Sequence, residues 1–269
     1  MEMVELNRGS SPVILGFPHT GTHVPDDVRA KLNETGRRLT DTDWHIHELY
    51  QGLLPDATTV CATFHRYCLD ANRDPSGTSL YPGQNTTGLI PLTDFDNRPL
   101  WTEGQEPDET ETVERVLRFH RPYHAALAAE ISRVKAKHGI AVLYDCHSIR
   151  SVCPFLFDGK LPDFNIGTDN GKTCDHLMQQ EVSAICAAAE GYTSVTNGRF
   201  RGGWTTRHYG RPEDGVHAIQ MELTQATHLK SETLPFDYDV EKAERLRNVL
   251  RQILERIEAL AYELARKAG

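Results

Sequence analysis

The stretch IAVLYDCHS, residues 140–148, decides the fold and the position of the chemistry. Its apolar residues 140–144 predict a buried strand, and the polar residues Asp145 and His147 follow where that strand ends. In open α/β sheets, ligands bind at the loops beyond the carboxyl ends of the strands. This stretch therefore predicts a strand whose end contributes a carboxylate and an imidazole to a functional site.

Two other apolar stretches show the same arrangement. Residues 13–17 (VILGF) predict a buried strand, closed by Pro18 and followed directly by His19. Residues 216–223 (VHAIQMEL) alternate apolar and polar residues and carry Glu222 close to their end. Convergence of these strand ends would concentrate histidine and carboxylate groups, a combination well suited to a divalent metal.

Helical patterns lie between the predicted strands. They cover residues 26–32, 41–53, 109–137 (with a kink or break at Pro122), 171–190 and 239–267, and residues 58–62 predict a further strand. This alternation predicts an α/β fold with one domain over residues 1–269, a mixed, mostly parallel sheet and helices on both faces. The long polar segment 70–102 contains aromatic and aliphatic residues, which favours an ordered loop near a site.

Composition excludes several classes of protein. The chain has 269 residues, 39% hydrophobic and 25% charged, which is typical of a globular protein. The formal net charge of −9 disfavours a broad nucleic-acid or anionic-membrane surface. No targeting segment and no apolar run of about 18 residues is visible. The six scattered cysteines form no C-x-x-C pair, which indicates reduced thiols in a cytoplasmic protein. The sequence leaves open whether the protein is a monomer or a homodimer.

His19 and His147 are either metal ligands or parts of a hydrogen-bonded network at strand ends. Asp145 lies two residues before His147, on the same face of an extended strand, and could orient its ring. A third ligand must be a carboxylate or another histidine. Asp43 could point across to a metal from the first turn of a helix.

Two rivals to Asp43 remain open. Asp41 is a candidate N-cap of the helix predicted at residues 41–53, and this role needs no metal. His23 lies four residues after His19, but Pro25 argues against a regular helix there. A contact with substrate, or with a metal ligand, is the better interpretation for His23.

Glu222 is expected to be a general base or half of an ion pair. A carboxylate in an otherwise apolar strand is costly unless it is paired. Burial would raise its pKa toward the range that suits a general base.

Arginines form a second group of candidates. Asn72 and Arg73 lie in the long loop, whereas Arg199, Arg201 and Arg207 lie in the glycine-rich segment NGRFRGGWTTRHYG. A guanidinium group binds a carboxylate through two parallel hydrogen bonds. In an acidic protein these residues suit a small anionic substrate, unless the segment is only a solvated surface loop.

Other catalytic signatures are absent from the sequence. It contains no G-x-S-x-G, no P-loop, no G-x-G-x-x-G and no H-E-x-x-H motif. Cys146 stands beside His147, but adjacent residues of a strand point to opposite faces, so they are poorly placed to share a proton.

Five long motifs resemble the N-formylglutamate amidohydrolase family. They are PHTGTHVPDDV (18–28), TDTDWHIHELY (40–50), LDANRDPSGTSLYPG (69–83), LYDCHSIRSVCPFLFDGKLPDFNIGT (143–168) and NGRFRGGWTTRHYGRPEDGVHAIQMEL (197–223). The resemblance runs in order from about residue 11 to about residue 223. It implies a fold similar to the zinc carboxypeptidases and hydrolysis of N-formyl-L-glutamate to formate and L-glutamate, the last step of a histidine degradation route.

The resemblance also implies roles for individual residues. His19, His147 and Asp43 would hold a divalent metal, with zinc preferred, and Glu222 would be the general base. Asn72, Arg73, Arg201 and Arg207 would bind the substrate carboxylates. One departure from the carboxypeptidase pattern weakens the assignment of the carboxylate ligand, because Thr22 occupies the position of the acidic residue in H-x-x-E.

Three alternatives to this function stay open. The substrate could be another N-acyl amino acid, such as a succinyl or formimino derivative. The chain could instead bind dicarboxylates without catalysis, or act as a cysteine-dependent hydrolase through Cys146. Metal content separates an enzyme from a non-catalytic binder, and thiol alkylation would stop only a cysteine-dependent hydrolase.

Overall fold

Seven strands form one sheet in the computed structural model, which describes residues 2–79 and 83–268. The strands are β1 (Val4–Asn7), β2 (Val13–Phe17), β3 (Thr58–Ala62), β4 (Ala141–Ile149), β5 (Phe164–Gly167), β6 (Ser194–Thr196) and β7 (Val216–Thr224). They lie in the order β1-β3-β2-β4-β7-β5-β6. The predicted mixed sheet is confirmed.

The central strands β3, β2, β4 and β7 all run parallel. Strand β1 is antiparallel to β3, and β5 is antiparallel to β7 but parallel to β6. The register of β4 and β7 places His147 directly beside Glu222. Their side chains therefore lie on the same face, at the carboxyl ends of two neighbouring parallel strands.

The helices are α1 (Asp26–Arg29), α2 (Glu34–Arg37), α3 (Ile46–Tyr50), α4 (Glu109–Arg115), α5 (Arg121–His138), α6 (His176–Ala188), α7 (Trp204–Tyr209) and α8 (Val240–Ala268). A π-helical turn, Val116–His120, joins α4 to α5, and 3₁₀ turns cover Pro212–Asp214 and Gln225–Thr227. None of the helices within the described ranges is long and apolar enough to cross a bilayer.

Helices cover both faces of the sheet, as predicted. Alternate residues of β2 enter different cores: Val13 and Leu15 pack with α3, α6 and α8, whereas Ile14 packs with α5. Helix α8 buries apolar side chains at helical spacing, among them Leu250 and Ile253. The α/β class is thus confirmed, while the extent of one domain over residues 1–269 stays a prediction.

Several predicted boundaries were wrong. The helix expected at residues 41–53 is restricted to Ile46–Tyr50, because residues 41–45 form an irregular turn that ends at His45 with a positive φ of 59°. Asp41 is therefore not an N-cap; its Oδ2 accepts a hydrogen bond from the Phe95 amide at 3.0 Å. Strand β4 extends to Ile149, so its polar residues lie inside the sheet.

The sequence patterns also missed short elements. Strands β1, β5 and β6 have only three or four residues, too few to show a period. Helix α7 lies in the glycine-rich segment NGRFRGGWTTRHYG, where no helix was predicted. In the long loop 70–102, by contrast, the residues described form no regular helix or strand, and buried side chains such as Trp101 hold it in place. Residues 80–82 of its LDANRDPSGTSLYPG motif lie outside the described residues.

Candidate active site

Three buried side chains from different parts of the fold meet at the carboxyl end of the central strands. His19 follows β2, His147 lies near the end of β4, and Asp43 lies in the irregular turn before α3. The Asp43 amide donates to the His19 carbonyl at 3.0 Å, which fixes the turn against the end of β2. Asp43 Oδ2 also accepts from the Ser148 amide at 2.9 Å, so the turn is fixed to β4 as well.

Their potential ligand atoms form a nearly regular triangle. His19 Nδ1 lies 3.2 Å from His147 Nδ1, and Asp43 Oδ2 lies 3.3 Å from His147 Nδ1 and 3.8 Å from His19 Nδ1. Ligands about 2.0–2.1 Å from a tetrahedral zinc ion are about 3.3 Å apart, so the triangle has the size of three of the four positions. Asp43 Oδ1 is buried without a hydrogen-bond partner. This donor set fits a divalent metal.

Both histidines are oriented by a second carboxylate. His19 Nε2 lies 2.6 Å from Asp70 Oδ1, and His147 Nε2 lies 2.9 Å from Asp145 Oδ2. A proton on each Nε2 leaves Nδ1 available to a metal, as carboxylates do around zinc-bound histidines. Burial disfavours the Asp70 carboxylate, but Arg73 and His19 hold its pKa well below the usual range.

Glu222 is the buried carboxylate beside this triangle. It is 6% exposed, and its only hydrogen bond from a described side chain comes from Gln220, whose Nε2 donates to Oε2 at 3.0 Å. Burial raises the pKa of Glu222 to about 7, an effect opposed by His147 and reinforced by Asp43. A carboxyl group with such a pKa can exchange protons near neutral pH.

Arg66 is a buried cation in the cavity that His19, His147 and Glu222 also line. Its guanidinium contacts His19 Nδ1 and lies 3.9 Å from carboxylate oxygens of both Asp43 and Asp70. It also lies over the Phe95 ring, 5.2 Å from the centroid. Despite its burial, these carboxylates raise its pKa further, so the guanidinium remains charged.

Asn72 and Arg73 border the cavity from the long loop. Asn72 Nδ2 lies 3.2 Å from His147 Nε2, and Asn72 Oδ1 accepts from the Thr205 amide at 2.9 Å. Arg73 donates from Nε to the Thr87 carbonyl at 3.0 Å, and its Nη2 lies 3.7 Å from Asp70 Oδ2. Asn72 therefore lies against His147, while Arg73 adds a partly exposed cation to the cavity.

Two of the predicted arginines are not among the described residues that line the cavity. Its lining comprises His19, Arg66, Asn72, Arg73, Thr86, Thr87, Phe95, His147, Ile149, Leu156, Arg199, Phe200, Gly203, Gln220 and Glu222. Arg199 is part of this lining, whereas Arg201 and Arg207 are not. Arg201 donates to the Gly198 carbonyl at 3.3 Å, and Arg207 donates to the Gly202 carbonyl at 2.9 Å.

The rivals for metal binding lie elsewhere. His23 is not part of the cluster of potential ligands found among the described residues, which consists of His19, Asp43 and His147.

Cys146 is fully buried in the core on the opposite face of β4, and burial raises the pKa of its thiol well above the usual value. A thiol in that position is a poor nucleophile, so the cysteine-dependent alternative loses its structural basis.

Sequence inspection missed Arg66, Asp70 and Gln220. Arg66 and Asp70 lie in an irregular connection after β3, where no periodicity indicates which way a side chain points. A signal did exist for Gln220, because it precedes Glu222 by two residues in a predicted strand and must share its face.

Comparison with known proteins gives a consistent match. Residues 11–229 match the model of the family described as N-formylglutamate amidohydrolase. The chain is 47% identical to an N-formylglutamate deformylase from Pseudomonas aeruginosa over 97% of this chain and 98% of that protein. A second N-formylglutamate deformylase, from Pseudomonas putida, is 43% identical with the same coverage.

Solved structures agree on the fold. The crystal structure of an N-formylglutamate amidohydrolase from Ralstonia eutropha JMP134 matches with a TM-score of 0.80 at 24% identity and covers both chains completely. A metallo-carboxypeptidase from Burkholderia cenocepacia matches with a TM-score of only 0.33 at 14% identity, over 96% of this chain and 65% of that one. At that level of similarity, the detailed likeness to zinc carboxypeptidases stays a prediction.

Proposed function

Since the chain belongs to the N-formylglutamate amidohydrolase family, we propose that it hydrolyses N-formyl-L-glutamate to formate and L-glutamate with a divalent metal. The reaction breaks a linear amide bond between the formyl carbon and the glutamate nitrogen. The observation that carries the proposal is the triangle of His19 Nδ1, His147 Nδ1 and Asp43 Oδ2 beside the buried carboxyl group of Glu222.

Zinc is the metal we propose, because two imidazole nitrogens and one carboxylate oxygen are a donor set found in catalytic zinc sites. When bound, the metal would polarise the formyl carbonyl and lower the pKa of a water molecule. Asp70 and Asp145 keep the two histidines in the tautomer that has Nδ1 available.

Glu222 moves the proton. Its carboxylate accepts a proton from the attacking water and returns it to the glutamate nitrogen as the amide bond breaks. A pKa of about 7, raised by burial, suits both directions of this transfer. Arg66 stabilises the negative charge that develops on the formyl oxygen, since its guanidinium lies within the cavity and beside Asp43.

Cations at the cavity wall bind the two carboxylates of the substrate. Asn72 and Arg73 bind one carboxylate, and Arg199, which also lines the cavity, binds the other. Arg201 and Arg207 stay predicted substrate contacts, close in sequence to Arg199. A dicarboxylic acid with a small acyl group is therefore the substrate class that this cavity supports best.

The test is formate release from N-formyl-L-glutamate by the purified chain. We expect turnover that a chelator abolishes and that added zinc restores, with cobalt and manganese as comparison metals. Asp43→Ala should lose metal and activity together, whereas Asp56→Ala, a matched change at an aspartate outside the cavity lining, should lose neither.

Two results would contradict this proposal. Turnover that survives complete metal removal would exclude the metal-dependent reaction. Release of L-glutamate from N-succinyl-L-glutamate or N-formimino-L-glutamate, without formate release from N-formyl-L-glutamate, would contradict the proposed substrate. The proposed class of reaction would stand.

A further inference from the structure

Gln220 lies between the candidate general base and the start of helix α7. Its side chain is 3% exposed, and it extends from β7 on the same face as Glu222. Its Nε2 donates to Glu222 Oε2 at 3.0 Å, and its Oε1 accepts from the Gly203 amide at 2.6 Å. Both contacts are buried, so water does not readily replace either of them.

The Gly203 contact decides which way the Gln220 amide faces. A backbone N–H can only donate, so it must meet the oxygen of the side-chain amide. The nitrogen of the same amide then points to Glu222 and can only donate to it. The Gly203 amide thus determines that Gln220 is the donor, and Glu222 the acceptor, in the hydrogen bond between them.

The same segment of main chain also fixes Asn72. The Thr205 amide donates to Asn72 Oδ1 at 2.9 Å, which leaves Nδ2 near His147. A Cβ atom at Gly203 would lie 2.3 Å from the Asn72 side chain, so only glycine permits this approach. Residues 203–205 therefore orient two buried amides, one facing His147 and the other facing Glu222.

We propose that Gln220 is a positioning residue for Glu222, held in its working orientation by the Gly203 amide. Only the catalytic part of this inference rests on the proposed function. Of the two oxygens of Glu222, Oε2 is bound by Gln220, while Oε1 receives no hydrogen bond from the described residues. Gln220 thereby leaves one defined oxygen for proton transfer and prevents rotation of the carboxylate.

Two substitutions separate the two contacts. Gln220→Glu keeps an acceptor for the Gly203 amide but removes the donor to Glu222 and places a second carboxylate beside it. Gln220→Met keeps the length of the side chain and removes both hydrogen bonds. The matched control is Gln179→Glu on α6, where Oε1 accepts from Thr168 and the residue does not line the cavity.

Kinetics of the zinc-loaded variants give the first readout. Both Gln220 variants should lower kcat by roughly tenfold to a hundredfold, because a misplaced catalytic group costs about that much. KM should change by less than about threefold, and zinc content should equal that of the wild type. Neither variant replaces a residue that is proposed to bind the substrate or the metal. Gln179→Glu should leave kcat unchanged.

Crystal structures give the second readout, which needs no substrate. Glu222 should keep its Gln220 contact in the zinc-loaded wild type and should rotate in the Gln220→Met variant. An unchanged Glu222 in that variant would overturn the proposal, as would a kcat near the wild-type value in either folded variant. Loss of zinc together with kcat would also overturn it, because Gln220 would then support the metal site.

The two proposals fail in different ways. A wild-type protein that releases no formate from N-formyl-L-glutamate removes the proposed function, yet the crystal structures still decide whether Gln220 orients Glu222. If Gln220→Glu does not fold, Gln220→Met decides alone.

Discussion

At the scale of single residues, the site depends on buried charges that compensate one another. Arg66 lies among Asp43 and Asp70, and each histidine has a carboxylate behind it. Isolated buried charges would cost several kcal/mol each. A cluster with this composition is stable only as a set, and a divalent cation would add to the charge that balances the carboxylates.

Glu222→Gln should separate metal binding from catalysis. The amide has nearly the same shape as the carboxyl group but cannot accept the proton, so we expect turnover to fall by about 10²–10⁴-fold. Zinc content, measured on the purified protein, should not change, because Glu222 is not part of the ligand cluster.

The matched control is Glu130→Gln, at a buried glutamate on α5 that pairs with Arg8 and Arg133 outside the cavity lining. It should keep its turnover. A zinc-replete Glu222→Gln protein with nearly wild-type turnover would show that another group is the base.

The positions of site residues were easiest to predict from the sequence pattern where strands end. His19, His147 and Glu222 could be placed together because parallel strands end at one edge of a sheet. Arg66 and Asp70 lie in an irregular segment, and only the folded chain shows that they face His19.

At the scale of elements, α8 is the simplest to understand from sequence. Its apolar residues recur at helical spacing, and the structure buries them against the sheet and α6. Helix α7 was missed, because glycine on both sides of a six-residue helix obscures any period. The turn that carries Asp43 was also mistaken for helix, since its conformation depends on contacts with β2 and β4 rather than on local propensity.

Replacing a buried residue of α8 should destabilise the fold without changing the site. Ile253 is 0% exposed, and Ile253→Ala should lower the free energy of unfolding by about 2–5 kcal/mol, measured by urea denaturation. Gln252→Ala, at an exposed position of the same helix, should change it by less than about 0.5 kcal/mol. KM and kcat should be unchanged in both variants below their unfolding transitions, and an altered KM would show that α8 influences the cavity.

At the scale of the whole molecule, stability should decline in mild acid. His228 is fully buried, donates from Nε2 to the Trp44 carbonyl at 3.0 Å, and has a pKa lowered by burial to about 4. The unfolded chain, with a histidine pKa of about 6.5, takes up this proton first. The contribution of neutral His228 to the free energy of unfolding is therefore complete above about pH 6.5 and is lost as the pH falls from about 6.5 toward 4.

The variant His228→Gln isolates this effect. The difference in unfolding free energy between wild type and variant should shrink by about 2 kcal/mol between pH 7.5 and pH 5. Gln252→Ala, at an exposed residue without a titratable side chain, should show a difference that does not depend on pH. A constant difference for His228→Gln would mean that His228 is protonated in the folded protein or accessible to water.

The strand order has a consequence for how the chain is made. Strand β7 is the last strand in sequence, yet it lies between β4 and β5 near the middle of the sheet. A nascent chain that has not reached residue 224 therefore leaves the edge of β4 open, and such edges favour pairing with other chains. All three candidate ligands are synthesised before residue 148, whereas Glu222 is synthesised late. During translation, the three candidate metal ligands are thus complete before the general base is made. The edge of β4 is covered only when β7, which carries Glu222, has been synthesised.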